Sequence, residues 1–239
     1  MDPSGRTALV TGGTKGIGRG IAEGMIRAGM DVVVTARSEA DVRAAEEALS
    51  ALGGGRALGV VCDVRDLKQQ RAAVAATLEA FGRLDVLVAN AGVGRFASVA
   101  DLDVDAWHEV IDTNLTGVFY SIKAALTALE EAEGLIITIG SLAGANFFAG
   151  GAAYNASKFG LAGFSQAVML DLRGRGVRVS TIMPGSVATH FSGRAPSDAD
   201  AWKIQPEDVA ELVLTLIRMP ARTLPSKIEV RPSRPPSAG

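Results

Sequence analysis

Short runs of aliphatic and β-branched residues alternate along the whole chain with longer segments in which apolar positions recur every three to four residues. The short runs are Thr7–Val10, Asp31–Thr35, Ala57–Cys62, Leu84–Ala89, Leu135–Ile139, Val177–Met183 and Lys227–Val230. They are apolar almost throughout, as strands covered on both faces are. The intervening periodic segments predict helices over Gly16–Ala28, Glu39–Leu52, Asp66–Phe81, Val104–Glu131, Ala156–Arg173 and Pro206–Arg218. Strand and helix in strict alternation predict an α/β protein with a doubly wound, seven-stranded parallel sheet and helices on both faces. No linker, repeat or shift of composition marks a boundary, so residues 1–239 are expected to form a single domain, with 232–239 as a loose tail.

Ligands of open parallel sheets sit beyond the carboxyl ends of the strands, so the residues just past each strand are the candidates for function. After the first strand comes Gly12-Gly13-Thr14-Lys15-Gly16-Ile17-Gly18, and after the second Ala36-Arg37-Ser38. The third leads to Asp63-Val64, the fourth to Asn90-Ala91-Gly92, the fifth to Gly140-Ser141, and the sixth to Pro184-Gly185. Gly12, Gly16 and Gly18 stand between a strand and a helix in a G-x-x-x-G-x-G spacing. There they let the backbone turn tightly and let a pyrophosphate approach the amides of a helix N-terminus. That placement predicts a Rossmann fold binding a dinucleotide.

The residue ending the second strand separates the two nicotinamide cofactors. NAD binders usually place an acid there for the ribose 2′-hydroxyl. Here the position is Ala36, followed by Arg37, and Lys15 lies in the glycine loop. Two cations pairing with a 2′-phosphate favour NADP(H) by on the order of 100-fold; as solvated surface cations they would favour neither. Asp31, about the right distance along the chain to be a ribose acid, stands at the wrong end of its strand and reads as a turn residue.

Tyr154 and Lys158 stand four apart, which puts both on one helix face with Cβ atoms about 5–6 Å apart. A free tyrosine titrates near pH ~10. A cation about 5 Å away lowers that by roughly two pKa units, enough to make the phenol a proton relay to a carbonyl oxygen. Ser141 ends the fifth strand and could hydrogen-bond the same oxygen. Taken singly, such a tyrosine is an interfacial residue, such a serine a helix cap, and Asn114 a mid-helix polar residue with poor helix propensity.

Together these motifs resemble the short-chain dehydrogenase/reductase family in its common single-domain form, from about Arg6 to Val230. The matching residues are Thr11-Gly-Gly-Thr-Lys-Gly-Ile-Gly18, Asp63-Val64, Asn90-Ala-Gly92, Asn114, Ser141, Tyr154-x-x-x-Lys158 and Pro184-Gly185. The resemblance implies that Tyr154 is the general acid/base and that Lys158 lowers its pKa and binds the nicotinamide ribose. It implies that Ser141 orients the substrate and that Asn114 holds a water linking Lys158 to solvent. The cofactor set it implies is Gly12, Thr14, Lys15, Gly16, Ile17, Gly18, Arg37, Asp63, Val64, Asn90, Ala91, Gly92, Tyr154, Lys158, Pro184, Gly185, Val187 and Thr189. Of these, Asp63 is expected beside the adenine, Asn90 beside its ribose and Thr189 at the nicotinamide amide. The general pattern is nearest to NADP-preferring 3-oxoacyl reductases and related ketoreductases.

Composition narrows the partners. A net charge of −2 without a run of Lys or Arg argues against nucleic acid and anionic membranes. No apolar stretch approaches the ~20 residues of a membrane span, and no signal peptide is evident, which predicts a cytoplasmic protein. Cys62 is the only cysteine; with two histidines, His108 and His190, it leaves too few ligands for a His/Cys metal site. Cys62 reads as a buried strand residue. Arg95, Phe96, Leu142, Asn146, Phe147, Phe148, Phe191 and Trp202 are expected to shape the substrate end. That mostly apolar set favours a hydrophobic or aromatic carbonyl or alcohol, with Pro184–Pro206 as a mobile lid over a tolerant site. Ala156, Gly160 and Gly163 would let helices approach closely, and a homo-oligomer, a tetramer before a dimer, is expected. Three competing functions fit less well. An NAD-dependent alcohol dehydrogenase would prefer an acid at Arg37, a non-catalytic dinucleotide sensor has no need of Ser141, Tyr154 and Lys158, and a methyltransferase has no need of the Tyr/Lys pair.

Overall fold

A computed structural model describes residues 2–193 and 195–235; the end of the expected tail, 236–239, lies outside the described residues. Seven strands form one parallel sheet: β1 (Thr7–Thr11), β2 (Asp31–Ala36), β3 (Ala57–Val61), β4 (Val86–Ala89), β5 (Leu135–Ile139), β6 (Arg178–Pro184) and β7 (Lys227–Val230). Their order, β3-β2-β1-β4-β5-β6-β7, reverses direction between β1 and β4. The carboxyl ends of those two neighbours therefore open a crevice between the loops that leave them.

Alternation within the strands divides the core. Val32 and Val34 of β2 face α1 (Gly16–Arg27), α2 (Glu39–Ser50) and α7 (Pro206–Arg218), through Met25, Leu49 and Val213 among others. Leu9, Val33, Leu87 and Ile136 face the other way, toward α3 (Leu67–Phe81), α5 (Gly117–Glu131) and α6 (Ala152–Leu172). α1 and α7 pack so closely that a Cβ on Gly20 would stand 2.6 Å from Pro206, and one on Gly24 3.0 Å from Ala210.

Side chains close several helix starts, each cap contributing about 1 kcal/mol. Ser38 accepts from the Asp41 amide, Asp66 from Lys68 and Gln69, and Asp103 from Asp105 and Ala106 at the start of α4 (Val104–Ile111). α1 differs: its N-cap is Lys15, which makes no side-chain cap bond.

Several predicted boundaries move. The fourth strand begins at Val86, not Leu84; just before it, the Asp85 carboxylate accepts from the Thr7 amide, Arg6 and Arg83. Cys62 lies just past β3, buried. α6 begins four residues earlier than predicted, which places Tyr154 within its first turn. The single long helix expected over Val104–Glu131 is α4, a π-helical segment Asp112–Thr116, and α5. Asp31 opens β2 and pairs with Arg56.

Candidate active site

The crevice is a cleft of about 560 Å³ along the carboxyl rim of the sheet. At one end lies the glycine loop. Gly12 and Gly16 have φ of 64° and 54°, a region costly to other residues. A Cβ on Gly18 would stand 2.4 Å from the Asn90 amide nitrogen and 2.4 Å from the Gly12 carbonyl, so the loop and the β4 end close on each other only around glycine. Asn90 fastens that junction by donating to the carbonyls of Thr11 and Gly12, while the Thr11 hydroxyl accepts from the amides of Asn90 and Ala91. The uncapped amides of α1 face an open space that Gly12, Gly16 and Ile17 line. This cradle fits a pyrophosphate.

Lys15 and Arg37 both line the cleft. Lys15, however, is engaged by an acid that no sequence motif marks: its amine lies 2.9 Å from Asp41, both side chains exposed. Asp41 sits in the first turn of α2, as helix starts favour. Asp63 also lines the cleft and is held well below the usual carboxylate range, chiefly by its bond to Arg65 and further by the charges of Arg65 and Arg37. Cys62 faces the same end, its thiol pushed up to about 11 by burial and by the charges of Asp63 and Asp66.

At the other end stand Ser141, Tyr154 and Lys158. Ser141 follows β5 and caps a short 3₁₀ turn, Leu142–Gly144, accepting from the Ala143 amide. Lys158 is buried, its amine donating to the Ile139 carbonyl at 3.0 Å and lying 5.8 Å from the Tyr154 ring centre. The expected lowering of the tyrosine pKa is not found. Burial pushes the phenol up, and a hydrogen bond with Ser141 only partly opposes it. The reason is that Lys158 is itself desolvated: its amine is brought down to about 8 and turned to a backbone carbonyl.

Asn114 is fully buried in the π-helical segment. Its side chain accepts from the Val93 amide, donates to the Val93 carbonyl and donates to Ser157, next to Lys158. It thus ties α5's approach, the loop after β4 and α6 together. It does not line the cleft; nor do Thr14 and Gly18, whereas every other residue expected at the cofactor does.

The substrate end is narrower than the expected set. Phe191 lines the cleft, and Phe96 lies edge-on to Tyr154 with ring centres 5.4 Å apart. Phe191 and Phe148 extend the cluster at 6.5 and 5.9 Å from Phe96. Arg95, Asn146, Phe147 and Trp202 do not join it. Arg95 pairs with Glu109, Asn146 donates to the Leu142 carbonyl, Phe147 is 86% exposed, and Trp202 stacks under Lys203. Leu142 packs beneath Gly185. Val93, Thr113, Ile139, Ser186, His190 and Lys203 line the cleft without having been expected to. Ile139 ends β5 and Thr113 lies in the π-helical segment, while the others stand on loops and turns that leave no periodicity to read; only proximity to Asn90, Ser141 and Pro184 could have pointed to Val93, Ile139 and Ser186. The base of the predicted lid is fastened, with Ala188 donating to Ile204 and Ile204 to Ser186.

Residues 6–200 match the short chain dehydrogenase family, and the chain belongs to it. It is an oxidoreductase of that family. The chain is 38% identical over 223 residues to a trans-4-hydroxycyclohexanecarboxylate dehydrogenase of Sinomonas cyclohexanicum, covering 88% of this chain and 85% of that one. It is 36% identical over 223 residues to a 3-oxoacyl-(acyl-carrier-protein) reductase of Synechocystis, covering 90% of each. A short chain dehydrogenase of Burkholderia cenocepacia, solved in complex with NADP, superposes with a TM-score of 0.87 at 34% identity over 97% of this chain and 98% of that one. No helix of the described residues is long and apolar enough to cross a membrane.

Proposed function

We propose that this protein is an NADP(H)-dependent carbonyl reductase and alcohol dehydrogenase of the cytoplasm, acting on hydrophobic or aromatic ketones, aldehydes or secondary alcohols. The carrying observation is the convergence of Ser141, Tyr154 and Lys158 on the cleft that also holds the glycine loop and the uncapped start of α1. A bound dinucleotide would supply or accept the hydride. Gly12, Gly16, Ile17 and the α1 amides would hold its phosphates, Lys15 and Arg37 its 2′-phosphate, and Asp63, Val64 and Asn90 through Gly92 its adenine side. Pro184, Gly185, Val187 and Thr189 would serve its nicotinamide.

Tyr154 gives its proton to the carbonyl oxygen in reduction and receives it back in oxidation, while Ser141 holds that oxygen in place. Lys158 positions the nicotinamide ribose; its charge is strengthened by any acceptor brought to it. Asn114 acts through Val93 and Ser157, fixing the cleft wall and the α6 turn that carries Lys158. Phe96, Phe148 and Phe191 exclude water and select an apolar substrate body. That the relative from Sinomonas is named for a cyclic hydroxy acid, and the Burkholderia structure holds NADP, supports a ring-bearing substrate and the phosphorylated cofactor.

Parallel fluorescence titrations with NADPH and NADH test the cofactor assignment. NADPH binding at least about tenfold tighter is expected from the charge-assisted contacts. Equal or NADH-favoured binding overturns it. One observation favours an NAD-dependent enzyme instead: Asp41 occupies Lys15. The Asp41→Asn variant separates the two, since freeing Lys15 tightens NADPH by about two- to fivefold and leaves NADH unchanged if Lys15 serves the 2′-phosphate.

The chain is also proposed to assemble as a homo-oligomer, a tetramer before a dimer. Ala156 and Gly163 face outward on α6, where Phe159 and Leu170 are exposed as well. Gly160 instead packs against Leu115 within the chain.

A further inference from the structure

The pole opposite the cleft carries a second concavity, of about 620 Å³. It lies where the amino ends of β1 and β6 meet the end of α6 and the segment joining α7 to β7. Arg6, Arg173 and Arg178 line it, with Met169 and Leu224 as apolar surface.

The charges there do not balance. Asp85 holds Arg6, but its buried carboxylate is also taken by Arg83 and by the Thr7 amide. The guanidinium groups of Arg173 and Arg178 have no hydrogen bond or ion pair among the described residues. Glu133, which also lines the concavity, forms no ion pair with any of the three; it is the one described non-glycine residue with positive φ, at 46°. Arg178 is half-buried, and both its desolvation and the Arg6 charge work against its cation. A guanidinium cannot shed its proton, so such a group is relieved by an acceptor, water or a bound anion. Ser226 adds a donor on the same wall: its carbonyl receives the Thr181 amide and Gln166, while its hydroxyl is unengaged among the described residues.

We propose that this concavity is a second ligand site, taking an oxyanion on an apolar body (an organic phosphate monoester or carboxylate) whose anionic end lies against Arg178, Arg173 and the Ser226 hydroxyl. Guanidinium forks match both oxyanions in geometry, and Met169 and Leu224 accept the apolar remainder. The site is independent of the cofactor assignment, because nothing in it belongs to the cleft.

Hexyl phosphate, titrated by calorimetry into protein saturated with NADP⁺, tests it, with hexanol as the neutral control. One saturable site of submillimolar dissociation constant is expected. Arg178→Met weakens it at least tenfold, and Lys15→Ala leaves it unchanged. Arg173→Gln, at the exposed end of α6, weakens it at least threefold and decides the matter should Arg178→Met fail to fold. Absence of saturable binding, equal binding of hexanol, unaltered binding in the folded arginine variants, or loss of binding in Lys15→Ala overturns the proposal.

Discussion

Burial moves Tyr154 and Lys158 in opposite directions, the phenol up and the amine down to about 8. A phenol held above its ordinary value stays protonated through neutral pH, so it is ready as an acid and not as a base. Carbonyl reduction is therefore expected to run flat across neutral pH and fall only when the phenol ionises, whereas alcohol oxidation rises with pH throughout. Tyr154→Phe should lower kcat about 100- to 10,000-fold in both directions, far more than it weakens NADPH binding. Oxidation that peaks at neutral pH, or a variant that keeps its rate, contradicts this assignment. Lys158 leaves a second trace, in stability. The unfolded chain keeps this amine protonated up to about its usual 10.5, the folded cofactor-free protein only up to about 8. Between those values the unfolded state binds more protons, so stability rises with pH, by up to about 3 kcal/mol across the window. Urea unfolding at pH 7.5 and pH 10 should show wild type gaining relative to Lys158→Met; parallel behaviour of the two means that the amine is not desolvated.

At the level of elements, the π-helical segment is where local preference and tertiary demand part company. Asp112, Thr113 and Asn114 are poor helix formers inside a long apolar-periodic run. The backbone answers by widening to i→i+5 bonding, a feature often found at functional sites. Asn114 then reaches both backbone groups of Val93. Replacing Asn114 with Leu strands that amide and carbonyl, at about 1–3 kcal/mol each. A fall of about 2–5 kcal/mol in urea-unfolding stability is expected, and a loss under about 1 kcal/mol shows that Val93 finds other partners. The same contrast explains what is legible in the sequence. Apolar runs in strict alternation with periodic segments make all seven strands and the two-faced sheet readable, because these depend on side-chain polarity alone. The glycine loop, Ser141, Tyr154 and Lys158 are readable because their chemistry demands particular residue types at fixed spacings. The Asp41 contact to Lys15, the aromatic cluster around Tyr154, and the upward rather than downward shift of its phenol depend on loop paths and burial. No local pattern encodes those.

For the molecule as a whole, the sheet is covered on both faces, yet apolar surface is left over. Phe119 of α5 is 45% exposed, and Phe159 and Leu170 of α6 are 43% and 54% exposed. Ala156, Phe159, Gly163 and Leu170 recur three, four and seven residues apart, which aligns them on one outward stripe of α6. Nothing lies within 4 Å of a Cβ built on Gly163, so the stripe has room for a closely approaching helix. Set against its own copy across a two-fold axis, such a stripe would give a dimer, and a second axis a tetramer. The burial of several such side chains contributes roughly 1.5–3 kcal/mol apiece when complete. Light scattering at micromolar concentration should give a mass four times the 24.6 kDa of the chain. Phe159→Glu should reduce that mass at least to the dimer while leaving the chain folded, because an exposed side chain costs the protomer about 0.5 kcal/mol or less. A wild-type mass of one chain removes the oligomer from the proposal. A tetramer indifferent to Phe159→Glu moves its contacts to another face and leaves the outward stripe of α6 without an explanation.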